Sequence, residues 1–73
     1  MSTEIGNAGK FAVYRCEDGH GYYFEHETYG EERACRVDVN SKRQAFDYEG
    51  AYEVPAVCLQ WLRDRGIDVS EIE

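Results

Sequence analysis

The side chains in this sequence with the chemistry of a nucleophile, base or metal ligand are few: Cys16, Cys35 and Cys58, with His20 and His26. A thiol attacks only when a neighbouring base or cation favours its thiolate. Strand pairing read from the turns sets His26 directly across from Cys35, the one Cys–His pair the sequence yields. Both are expected beneath a helix, on a half-buried sheet face that offers no cleft and no oxyanion donors. Zinc needs tetrahedral sulfur and nitrogen ligands, usually supplied as close pairs, and Cys16-x3-His20 is the only such pair. Because Cys16 is expected on the outer face while His26 and Cys35 point inward, these ligands diverge, and neither a metal nor a cofactor is expected. The acids give no two carboxylates reason to hold split pKa values around a substrate. The glycines lie in turns and form no phosphate-cradling loop. The chain is therefore expected not to be an enzyme.

The acids and the tyrosines carry more information. Fifteen Asp and Glu oppose eight Lys and Arg, a formal charge of −7. Such a surface repels DNA, RNA and anionic lipid, because phosphate binding depends on Lys and Arg releasing counterions. It attracts basic protein surfaces instead. The charge is also segregated: residues 17–32 hold Glu17, Asp18, Glu25, Glu27, Glu31 and Glu32 with no Lys or Arg, residues 33–43 return +3, and residues 44–53 hold Asp47, Glu49 and Glu53 alone. Six tyrosines are many for 73 residues, and exposed tyrosines bury a large area at low entropic cost. Tyr22 is expected in the core, Tyr14 and Tyr23 on the outer face, and Tyr29, Tyr48 and Tyr52 around one end of the sheet.

The elements that must position these residues follow from pattern. Residues 1–9, small and polar with two glycines, read as a flexible lead-in. Residues 10–73 read as a single α+β domain, a four-stranded antiparallel meander with one C-terminal helix packed on one face (ββββα). Strands are expected near residues 10–16, 21–28, 33–39 and 42–48, where alternating Val, Tyr and Phe are punctuated by Gly, Asp and Asn. Asp18-Gly19 suits a type I′ turn and sets Glu17 opposite His20, hence Val13 opposite Phe24 and Phe11 opposite His26. A four-residue turn over Tyr29-Gly30-Glu31-Glu32 pairs Thr28 with Arg33, hence Phe24 with Val37, Glu25 with Arg36 and His26 with Cys35. A turn at Asn40-Ser41 pairs Val39 with Lys42, Asp38 with Arg43 and Cys35 with Phe46. All three turns put Phe11, Val13, Tyr22, Phe24, Val37, Val39 and Phe46 on one face.

Val54, Val57, Cys58, Trp61 and Leu62 recur at helical spacing and form the stripe that covers that face. Pro55 suits the first turn and Gly66 the left-handed position after the last, giving a helix over about Pro55 to Arg65. The tail residues Ile67, Val69 and Ile72 fit either a short edge segment or packing over the helix end.

The meander brings the second hairpin turn and the end of the fourth strand to one end of the sheet. There Glu27, Glu31, Glu32, Asp47, Glu49 and Glu53 gather against only Lys10 and Arg33. With Tyr29 and Tyr52 at that end and Tyr23 on the outer face, these are the expected partner-binding residues. Carboxylates two residues apart on a strand are ~6.6 Å apart, a spacing comparable to successive phosphates, so such a row can stand in for a nucleic-acid backbone.

The longest uncharged run, Val54 to Leu62, is far shorter than the ~20 apolar residues of a membrane span. With no secretory signal and an odd cysteine count, a reduced protein of the cytoplasm is expected. In size, acidity, absence of catalytic motifs and β-plus-helix build, the chain resembles small phage-encoded inhibitors of the anti-CRISPR or anti-restriction type. The resemblance is one of class, spans the whole chain loosely and carries no residue role with it. It implies a protein of the host cytoplasm that docks on a basic surface of a CRISPR effector subunit or similar complex, as monomer or weak homodimer, without touching nucleic acid or membrane. The alternatives are a small bacterial accessory or antitoxin-like interaction protein, and a small Cys/His hydrolase or metal-binding domain.

Overall fold

The computed structural model describes residues 3–17, 19–46, 53–70 and 72. Five strands, β1 (Thr3–Ala8), β2 (Phe11–Arg15), β3 (Gly21–His26), β4 (Gly30–Asp38) and β5 (Arg43–Phe46), precede one helix, α1 (Ala56–Asp64). The strands form a single antiparallel sheet in chain order, β1-β2-β3-β4-β5. The α+β class and the helix over one face agree with the sequence pattern, while the strand count rises from four to five. The added strand comes from the segment expected as a lead-in. Small residues gave Thr3–Ala8 no alternation to read, yet Ala8 is buried, and Gly6 lets the Trp61 indole lie against the backbone, 3.4 Å from where a Cβ would stand.

The β2–β3 ladder matches expectation, with Phe11 opposite His26 and Val13 opposite Phe24. It ends at Arg15 and Tyr22, beyond which the Cys16 N–H donates to the Gly21 carbonyl (3.0 Å) and the Gly19 N–H, at φ +76°, to that of Cys16 (3.0 Å). The loop is thus wider than a two-residue turn in the same register, and Asp18 lies outside the described residues. Between β4 and β5, Asp38 faces Arg43 and Cys35 faces Phe46, as the Asn40-Ser41 turn requires. Asp38 Oδ1 closes that turn by accepting from the N–H groups of Asn40 (2.9 Å) and Ser41 (3.1 Å).

The β3–β4 pairing is corrected by the structure. Phe24 faces Cys35, Tyr22 faces Val37 and Tyr23 faces Arg36, after which a bulge leads to His26 facing Gly30. The expected pairs of Phe24 with Val37, Glu25 with Arg36 and His26 with Cys35 do not form. The cause is local. His26 Nδ1 accepts from the N–H groups of Thr28 (3.0 Å) and Tyr29 (3.3 Å), so the chain turns directly after His26. Gly30, at φ +57°, then takes a backbone conformation that L-residues pay to adopt. The residues gained are absorbed as a bulge on β4, where consecutive Ala34 and Cys35 are both buried. A slip of two residues equals the strand period, so the faces survive although the pairs do not.

The helix folds as its ends dictate. Pro55 precedes it with φ −53° and ψ 143°. At its other end the Gly66 N–H donates to Arg63 and the Ile67 N–H to Leu62, the paired bonds of a Schellman motif with Gly66 at φ +79°. Val54, Cys58 and Leu62 are buried against Val13, Phe24 and Val37, with Trp61 at the margin. Val57 departs from the expected stripe: it is exposed and lies over the Gly9 turn. Among its described residues the tail takes no strand. Val69 is buried in the core and Ile67 and Ile72 pack against it. Each fully buried Phe or Leu contributes about 1.5–3 kcal/mol through the water it sheds, and these contacts fix the helix across the sheet.

Candidate protein-binding surface

Antiparallel order puts the β1–β2 turn, the β3–β4 turn and the end of β5 at the same end of the sheet. The β3–β4 turn is built from His26 outward. Two N–H groups donate to its Nδ1, which places the ring proton on Nε2, and its ring packs against Phe11 (centroids 5.1 Å) and Tyr29 (4.9 Å). The Arg33 guanidinium lies 4.2 Å from the centre of the Tyr29 ring. Tyr29 is thereby held in place while 46% of it remains exposed.

Around this platform Glu27, Glu31 and Glu32 are all exposed. The Glu27 N–H donates to the Lys10 carbonyl (2.9 Å), and Glu27 Oε1 accepts from Asn7 Nδ2 (3.1 Å), tying the tip to the neighbouring β1–β2 turn. The Glu32 N–H donates to the Tyr29 carbonyl (3.1 Å) and sets the backbone between the two acids. The result is a fixed acidic tip with an aromatic centre. Glu53 is exposed just before Val54, whose N–H donates to Gln44 Oε1 (2.8 Å) on β5. Asp47, Glu49 and Tyr52 lie outside the described residues.

Tyr23 does not join this group. It stands on the outer face opposite Arg36, with its ring 6.0 Å from that of Tyr14. Tyr14 has its phenol pushed up, first by partial burial and then by Glu4, to which it hydrogen-bonds, and by Glu25. Asn7 and the stacking role of Arg33 were not read from sequence. The histidine that does here the work usual for Asn or Asp at a turn carries no pattern that would mark it.

The thiols are arranged differently from the sequence expectation. His26 lies across from Phe11 and Gly30, and the Cys35 thiol meets Cys58 on the helix. That hydrogen bond, followed by burial, holds the Cys58 thiol well above the ordinary thiol range. A thiol so held is a poor nucleophile, and across the ladder Cys35 faces Phe24 rather than His26. Cys16 is half-buried on the outer face, beside Gly21 and Arg36. Among the described residues no three His, Cys, Asp or Glu side chains come together as a metal site, and no helix is long and apolar enough to cross a membrane.

The chain matches no family model, no curated protein and no solved structure.

Proposed function

We propose that this chain is a non-enzymatic acidic binding module that docks through its β3–β4 tip on a basic, nucleic-acid-binding protein surface and blocks nucleic-acid recognition there. The observation that supports it most is the tip itself: Glu27, Glu31 and Glu32 exposed around Tyr29, which Arg33 and His26 hold in place. A prearranged tip avoids the entropic cost of ordering a loop on binding. Carboxylates around a rigid aromatic anchor suit a groove lined with Lys and Arg, where they replace phosphates and the ring fills the contact centre. A CRISPR-type effector in the host cytoplasm is the target class proposed, and the net charge of −7 favours rapid encounter with it. Glu53, which is exposed, is proposed as part of the rim of this surface. Tyr23 belongs to a different patch and is set aside.

The test is competition. A purified CRISPR effector with its guide RNA is titrated onto labelled target DNA with and without the chain. The proposal expects the chain to reduce DNA binding, Glu31→Lys with Glu32→Lys to abolish the effect, and the inhibition to weaken steeply as salt rises. Inhibition that survives both the double charge reversal and high salt overturns the acidic-tip reading. It would leave a shape-driven contact of an accessory or antitoxin-like protein in its place.

A further inference from the structure

At the opposite end of the sheet two arginines border a groove. This groove, of about 280 Å³, is lined by Ile5, Arg15, Tyr22, Trp61, Arg65 and Ile67. Each wall has a structural origin. Arg15 is the last residue of β2 and the partner of Tyr22 on β3, so both project from the helix-covered face at the sheet's end. The β1 bulge between Glu4 and Gly6 leaves Ile5 without a ladder partner, and its carbonyl accepts from Arg65 Nη2 (3.3 Å). The Arg65 guanidinium is also stacked 4.6 Å from the centre of the Trp61 ring, and the Tyr22 and Trp61 rings pack edge to face with centroids 5.9 Å apart. The last helical carbonyls are closed by the N–H groups of Arg65, Gly66 and Ile67, so guanidinium rather than bare carbonyl borders the groove. Arg15 is exposed at the end of β2 and lines the groove.

From this geometry we infer that the groove binds a small aromatic anion, a flat ring bearing a carboxylate or phosphate. The ring lies against Trp61, Tyr22 and the two isoleucines, and the anionic group is taken by Arg15 and Arg65. Guanidinium groups match both oxyanions with two parallel N–H donors. Arg65 is already oriented by the indole and by the Ile5 carbonyl, so only Arg15 must be ordered on binding. Two arginines and no described acid line the groove, and charge complementarity selects an anion. The aromatic walls select a ring over a bare ion. The site is independent of the acidic tip, which lies at the other end of the sheet.

Trp61 is the sole tryptophan, so its fluorescence reports on this groove directly. The intact chain is titrated with benzoate, phenyl phosphate, benzyl alcohol and inorganic phosphate, following Trp61 emission and its indole N–H resonance. Saturable binding of benzoate or phenyl phosphate in the millimolar range is expected, and the stronger of the two identifies the preferred anionic group. Arg15→Ala, an exposed position whose loss leaves the core intact, is expected to weaken that binding about tenfold, the factor typical of a lost charge-assisted hydrogen bond. The inference is overturned if neither aromatic anion saturates the Trp61 signal. It is equally overturned if benzyl alcohol or inorganic phosphate binds as tightly as the aromatic anions, or if folded Arg15→Ala binds them unchanged.

Discussion

At the scale of single residues, His26 shows how a side chain with catalytic potential is spent on structure. Its Nδ1 satisfies two backbone N–H groups at the β3–β4 turn and its ring supports Tyr29. Replacing it with Ala leaves those N–H groups without an acceptor, at a cost of about 1–3 kcal/mol. His26→Ala is therefore expected to lower the urea midpoint and broaden the resonances of residues 27–30, whereas an effect on stability without any effect at the turn would count against this role. Asp68 supplies a pH prediction. Its carboxyl is held below the usual range by the Ser70 N–H and hydroxyl, then by Lys42. A depressed folded pKa gives stability that is complete above the ordinary carboxylate value and is lost as pH falls through the lower, folded one. Asp68→Asn is expected to flatten that acid-side decline, read from melting temperature against pH.

At the scale of elements, β1 and α1 depend on each other. Gly9 has φ +60°, and a Cβ there would stand 2.9 Å from Val57 Cγ2, so Gly9→Ala meets both backbone strain and a clash. Gly19, at φ +76°, faces open space, and alanine there meets the strain alone. Gly9→Ala is expected to destabilise more than Gly19→Ala, and Val57→Ala added to the first is expected to recover the difference. Equal losses at the two glycines in chemical denaturation would show that the helix does not press on the turn. Leu62 is fully buried between helix and sheet, and Leu62→Ala is expected to cost about 2–5 kcal/mol. For 73 residues the whole stability is about 4–11 kcal/mol, so that variant sits near the edge of folding.

At the scale of the whole molecule, the sheet separates the two surfaces. The acidic tip and the arginine-lined groove lie at opposite ends because antiparallel turns alternate along the chain. Association through the tip is expected to lose on-rate steeply between low and physiological salt, while dissociation changes little. Stopped-flow measurements with the proposed effector partner check this, and a salt-dependent dissociation rate with a constant on-rate would place the contacts in a buried interface instead.

The sequence alone determined most of the inward face of the sheet, because strand and helix periods are local and a register slip of two residues preserves them, although Val57 of the expected helix stripe is exposed. It also determined the helix and its ends, since Pro55 and Gly66 act through their own backbone geometry, and it located Glu27, Tyr29, Glu31 and Glu32 around one turn. Only the tertiary structure decided the remainder. Thr3–Ala8 lacks the apolar alternation of a strand and becomes one because it pairs with β2 and receives Trp61. The β3–β4 register depends on an imidazole capping a turn, a contact that pattern does not encode. The meeting of Cys35 with Cys58, and the lining of one groove by Arg15 and Arg65, bring together residues far apart in the chain, and such proximity exists only once the helix has crossed the sheet.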